Sequence, residues 1–152
     1  TGRPMERKPV NVFLDSNVIL SGILSEKGAP RIILDVISLG MPFLRGITGK
    51  YNILEIERNL TRKLPQVLPV YRRYLPKLNL TVVPLPSIKE LSPFFGLTDD
   101  KDIPVLASAA KGHADFLVTG DKKHSTKLKK TSFPFTIIGP SEFLDVLISK
   151  LK

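Results

Sequence analysis

The sequence contains no cysteine and only two histidines, His113 and His124, among its 152 residues. The first absence removes disulfides, thiolate zinc sites and cysteine nucleophiles together. The second excludes a three-histidine metal centre and leaves a serine–histidine mechanism few candidates. A metal ion bound here would take oxygen ligands, which favours Mg2+ or Mn2+ over zinc. Long apolar runs are missing too: the stretch from Val10 to Leu24 is interrupted by Asp15 and Asn17, so no membrane span is expected. The charged start lacks the apolar segment and small-residue cleavage site of a secretory signal, and a cytoplasmic location is expected. Thr1 to Pro4 precede the first methionine, Met5, and are read as a cloning remnant outside the fold. The glycine fingerprints of P-loop and dinucleotide folds are also absent.

Acidic side chains are in short supply, 14 against 23 basic ones, for a formal charge of +9. An excess of that size suggests a polyanionic partner, of which nucleic acid is the commonest; the competing reading is an ordinary basic surface. Apolar residues make up 42% of the chain, enough for a genuine core. The length fits one domain, expected over residues 5–152.

Apolar runs and helical patterns alternate along the chain. Val10 to Leu14 reads as a buried strand ending at Asp15. Helical spacing follows over Asn17 to Leu24 and Arg31 to Leu39, where Gly40 stops the second helix. Pro42 to Ile47 is a second strand, and Gly49 to Leu64 a helix with Ile53, Ile56 and Leu60 on one stripe. Pro65 and Pro69 break the chain before a helix at Val70 to Leu78, and Leu80 to Val83 reads as an edge strand. A loop around Ser92 to Asp100 leads to a helix through Lys111, with Pro104 in its first turn and Gly112 ending it. Strands at Phe116 to Val118 and Phe135 to Ile138 enclose a short basic helix, and Ser141 to Leu151 closes the chain. This alternation predicts an α/β fold with a parallel sheet between helical layers.

In such sheets ligands bind beyond the carboxyl ends of the strands, at a switch point in strand order. Asp15 closes the first strand and Asp121 follows the strand Phe116 to Val118. Glu55 lies on the helix after the second strand, and Asp102 near the start of the helix that ends at Gly112. Each has an ordinary reading: Asp15 as a helix cap, Glu55 as a solvated helix residue, Asp102 as a charge suited to a helix dipole, Asp121 as a turn residue. Two of the four nevertheless end apolar strands, where a charge needs a purpose.

The same residues carry a family resemblance. Val12-Phe13-Leu14-Asp15-Ser16-Asn17-Val18-Ile19, Leu54-Glu55-Ile56 with Leu60, Asp102-Ile103-Pro104-Val105-Leu106-Ala107-Ser108-Ala109 and Ala114-Asp115-Phe116-Leu117-Val118-Thr119-Gly120-Asp121 occur in the order and spacing of PIN-domain nucleases. That family includes the VapC-like toxins of many bacterial and archaeal toxin–antitoxin pairs. The resemblance implies a three-layer α/β/α sandwich around a mostly parallel sheet. It also implies that Asp15, Glu55, Asp102 and Asp121 are metal-binding acids supported by Asn17 and Thr119. A metal-dependent endoribonuclease leaving 5′-phosphate and 3′-hydroxyl ends would follow, with an antitoxin and a homodimeric state as further family expectations. Two features depart from the pattern. Lys122-Lys123-His124 stands where relatives often carry another acid, and Pro104 is unusual within its motif.

Two carboxylates about 5 Å apart repel by roughly 3 kcal/mol at an effective dielectric near 20, so four together raise their own pKa values or draw in a cation. Bound Mg2+ or Mn2+ would neutralise them and activate a water for in-line displacement. Lys122, Lys123, Lys127, Lys129 and Lys130 follow Asp121 and are expected to rim the site as phosphate contacts, with Arg58, Arg62 and Lys63 along the helix of Glu55. Tyr71-Arg72-Arg73-Tyr74 offers stacking plus charge for RNA, against the alternative that its tyrosines pack inward. A haloacid-dehalogenase-like phosphatase would need an aspartate where Asn17 stands. The remaining rival is a PIN-like module that binds RNA or protein without cutting.

Overall fold

The computed structural model describes residues 8–120 and 133–151. Its strands are β1 (Val10–Leu14), β2 (Leu44–Gly49), β3 (Thr81–Val83), β4 (Phe116–Val118) and β5 (Thr136–Ile138). They pair in the order β3-β2-β1-β4-β5, every neighbour parallel. The helices are α1 (Ser16–Leu24), α2 (Ala29–Ser38), α3 (Lys50–Lys63), α4 (Leu68–Tyr74), α5 (Ile88–Leu91), α6 (Ile103–Lys111) and α7 (Pro140–Leu151).

Side chains along a strand alternate between faces, and here that alternation divides the interior into two cores. Val12, Leu14, Val118 and Ile138 meet residues of α1, α2, α3, α4 and α7, among them Ile19, Ile33, Ile56, Tyr71 and Phe143. Phe13, Leu117 and Ile137 point the other way, against Ile103, Leu106 and Ala109 of α6 and against Phe94 and Phe135. The sheet is thus sandwiched between helical layers, as the alternation of strands and helices predicts. Strands covered on both faces become continuous apolar runs, which is why Val10 to Leu14 carries no polar alternation beyond Asn11.

The elements depart from expectation in three places. Strand β2 lies later than expected, at Leu44–Gly49, because Met41 to Phe43 form the approach to it. A short helix that the sequence pattern did not supply precedes the loop expected around Ser92 to Asp100: Ser87 and Glu90 form a reciprocal capping box that starts α5. Hydrogen bonds from Lys111 and from the Ser87 backbone hold the Glu90 carboxyl down at about 2. Finally, Gly112 ends α6 as expected, but it is His113 that takes the left-handed turn, at φ 55°. Gly112 is needed for space instead, since a Cβ there would stand 2.8 Å from Val83 Cγ2 and 3.2 Å from Ile47 Cγ2.

Candidate active site

From β1 the chain steps to β2 and β3, then crosses back to place β4 on the other flank of β1. The switch point therefore lies between the carboxyl ends of β1 and β4, where a crevice opens in this class of sheet. Leu14 pairs with Val118 there, so the next residues, Asp15 and Thr119, emerge side by side. Their backbones stay tied in: Asp15 N donates to Val118 O at 3.0 Å and Thr119 N to Ile138 O at 3.0 Å. From the other flank the buried Thr48 hydroxyl donates to Leu14 O at 2.9 Å.

The Asp15 carboxylate is held from three directions. Oδ1 accepts from Ser16 N at 2.8 Å, which caps α1, and from Asn52 Nδ2 at 3.2 Å. Oδ2 accepts from Thr119 Oγ1 at 2.9 Å. Asn17 Nδ2 donates to the same Thr119 oxygen at 3.4 Å, and Gly120 N donates to Asn17 Oδ1 at 2.9 Å. The capping reading of Asp15 is thus correct, and it coexists with a place in the site.

Asp15, Glu55 and Asp102 line one cleft of about 240 Å3, together with Ser16, Asn17, Leu20, Asn59, Lys101 and Val105. Glu55 is anchored by the Ser16 hydroxyl, which donates to its Oε1 at 2.6 Å. Burial pushes the Asp15 carboxyl above its ordinary value. The hydrogen bonds from Thr119 and Ser16 oppose that rise, while the negative charges of Glu55 and Asp102 add to it. Neither Asp15 nor Glu55 joins an ion pair among the described residues.

These oxygen donors suit a hard divalent cation in kind. Among the described residues, however, no three acidic or histidine side chains form a set that could hold a metal ion. The fourth acid, Asp121, lies outside the described residues, as do Lys122, Lys123, Lys127, Lys129 and Lys130. Arg72 is exposed on α4, within 3.7 Å of Glu57, and Arg73 is exposed beside it. Neither arginine lines the cleft. Tyr71 is fully buried and cannot stack on a base, while Tyr74 is half-buried with the Arg31 guanidinium 5.2 Å from its ring centre.

Sequence reasoning missed Asn52, Ser16 and Thr48 as members of the site. A signal for Asn52 existed. The buried stripe of α3 is Asn52, Ile56 and Leu60, spaced by four, and an amide on such a stripe has to find partners inside. Ile53 is only partly buried.

The geometry defines the class: a parallel α/β sandwich with acidic residues gathered at its topological switch point. The PIN domain family matches residues 11–123, and the chain belongs to that family, the one its motifs resemble. No curated protein matches the chain by sequence. Among solved structures, VapBC2 from Rickettsia felis, bound to a DNA fragment from their promoter, matches with a TM-score of 0.61 at 12% identity. The match covers 86% of this chain and 98% of the other. VapBC-1 from nontypeable Haemophilus influenzae matches with a TM-score of 0.59 at 14% identity, over 87% and 99% of the two chains. At such identities the likeness is one of fold. No helix among the described residues is long and apolar enough to cross a membrane.

Proposed function

We propose that this chain is an Mg2+- or Mn2+-dependent endoribonuclease that hydrolyses phosphodiester bonds, acting as the toxin of a toxin–antitoxin pair. The observation that carries the reading is the convergence of Asp15, Glu55 and Asp102 on one cleft at the switch point, on a chain of the PIN-domain family. Asp15, Asp102 and Asp121 are assigned as ligands, and Glu55 as a ligand of a second ion or as the group that positions the attacking water. A bound divalent cation supplies charge neutralisation, lowers the pKa of a coordinated water and stabilises the leaving oxygen. The chain's own residues prepare for this. Thr119 and Ser16 N hold the two Asp15 oxygens apart in fixed directions, Asn17 orients Thr119, and Ser16 holds Glu55. Burial, and to a smaller extent the charges of Glu55 and Asp102, make the ionised Asp15 carboxylate costly, a cost that a bound cation would relieve. The excess of positive charge, +9 over the whole chain, would draw RNA toward these acids, with the lysines after Asp121 as the assigned phosphate contacts. The two solved structures are of VapBC complexes, which supports an antitoxin as protein partner; a homodimer is the family expectation.

Cleavage of a single-stranded RNA pool with Mg2+ or Mn2+ tests the assignment. Asp15→Asn and Asp121→Asn are expected to abolish it while far-UV circular dichroism stays native. Undiminished cleavage by both variants would remove these residues from the site. Wild-type protein that binds the pool and cuts nothing with either metal would instead make this a binding module.

A further inference from the structure

We infer that Asn52 is a positioning residue of this site: its amide joins the Asp15 and Glu55 carboxylates into one hydrogen-bonded unit and holds both toward the same cleft. The inference rests on the metal-dependent reading above and adds to it a residue that no motif supplies.

Asn52 lies on α3 with no exposed surface, one turn before Ile56 and two before Leu60 on the same buried stripe. Leucine would continue that stripe, so an amide there has to be explained by its partners. The Nδ2 group has two hydrogens, and both are committed. One goes to Asp15 Oδ1 at 3.2 Å and the other to Ser16 Oγ at 2.9 Å. Because the Ser16 oxygen accepts from Asn52, its own proton is free to go to Glu55 Oε1, 2.6 Å away. The chain of donors therefore runs one way, from Asn52 through Ser16 to Glu55, with a second branch to Asp15.

The amide cannot be turned over without cost. A flipped Asn52 would set its carbonyl oxygen against the Asp15 carboxylate and would leave Ser16 with one donor fewer to satisfy it. In the orientation that serves the two acids, Asn52 Oδ1 is a buried acceptor with no partner among the described residues, and the buried Ser108 hydroxyl nearby is likewise unpaired among them. Both atoms crowd Gly49, within 2.9 and 3.0 Å of where a Cβ would stand. The residue thus satisfies the carboxylates at the expense of its own carbonyl. A side chain present only to fill the core would not be arranged in that way.

Mn2+ binding to the full chain, followed by electron paramagnetic resonance without RNA, tests this. Asn52→Leu is expected to weaken Mn2+ binding about 10–100-fold, the range for partners that orient metal ligands, with native circular dichroism. Ser16→Ala should also weaken it. The double variant should lose less than the product of the two single losses, because both act on one hydrogen-bonded unit. Binding by a folded Asn52→Leu within twofold of wild type, or losses that multiply fully, overturns the role given to Asn52. Should the leucine variant not fold, Asn52→Ser carries the same test with the same expectations and the same overturning results. Wild-type protein that binds no Mn2+ overturns the metal-dependent reading itself, an outcome distinct from loss of the Asn52 role alone.

Discussion

Gly49→Ala tests whether the site is braced by close packing beneath it. The backbone at Gly49 has φ −98° and ψ 150°, a conformation open to any L residue, so alanine brings no backbone strain. The difficulty is space. The added methyl would stand 2.9 Å from Asn52 Oδ1, 3.0 Å from Ser108 Oγ and 3.1 Å from Ser108 Cβ. Both side chains are wholly buried and neither can swing into solvent. Relief requires Asn52 to retreat from Asp15 and Ser16, or α6 to back away from β2. Overpacking of this kind costs about 1–3 kcal/mol. The stiffer unfolded chain offsets about 0.4–1 kcal/mol of that. At the middle of both ranges the net destabilisation is about 1.3 kcal/mol, which for a chain of this size corresponds to a fall in Tm of roughly 3–5 °C. Thermal and guanidinium unfolding of the full chain measure it. Gly46→Ala serves as a comparison: its methyl would meet Ile37 Cγ2 at 2.6 Å and Leu80 Cδ2 at 2.7 Å, at a strand position paired with Val12 and touching neither Asn52 nor the acids. It should lower stability while leaving Mn2+ affinity alone, whereas Gly49→Ala should lower both. A Tm for Gly49→Ala at or above the wild-type value would refute the reasoning from close approach.

The raised Asp15 pKa fixes a sign for pH dependence. A carboxyl whose folded pKa exceeds its unfolded value binds its proton more tightly when folded. Its contribution is therefore full below the ordinary carboxylate range and is lost as pH rises through the raised folded value. Metal-free Asp15→Asn should accordingly melt higher than wild type at neutral pH, with the difference shrinking in acid. Added Mn2+ should stabilise only the wild type, and equal stabilisation of both would separate metal binding from Asp15. At the buried Tyr71, whose hydroxyl has no partner among the described residues and whose pKa burial pushes up to about 12, Phe removes a desolvated group. Tyr71→Phe should be neutral or stabilising by up to about 1 kcal/mol in guanidinium unfolding; a loss of that size would mean that the hydroxyl is paired.

The layers and the placing of Asp15 were legible because they depend on local signals. Apart from Asn11, Val10 to Leu14 is apolar on both faces, as a sandwiched strand requires, and the charge that follows it marks the strand's carboxyl end. Asp102 was legible through a long motif with a proline in the first turn of α6, where a proline is tolerated. Asn52 was not, because an amide at a core position declares itself only once its partners are known, and those partners come from β1 and α1. Of the two readings of Tyr71-Arg72-Arg73-Tyr74, inward packing holds for Tyr71: positions three apart share a helix face, and that face of α4 turns toward the core while Arg72 and Arg73 stay exposed. His113 shows the limit for turns. A Gly-His pair marks where a helix stops, but the left-handed conformation falls on His113, while the glycine is required by the close approach of Val83 and Ile47, which no local signal reveals.

The hydrogen bond from Thr119 to Asp15 spans 104 positions of sequence, and this has a consequence for how the protein comes into being. A nascent chain acquires Asp15, Asn52 and Glu55 early, but the β4 wall of their cleft arrives only after Val118 has been made and paired with β1. At about 5–20 residues per second, the ribosome needs several seconds or more to cover that interval. Throughout it the acids exist without the crevice that collects them. A premature stop between Glu55 and Asp102 yields a fragment with Asp15, Asn52 and Glu55 but no assembled centre. The parallel topology thus doubles as a timer, since the centre can mature only after most of the polypeptide has been synthesised.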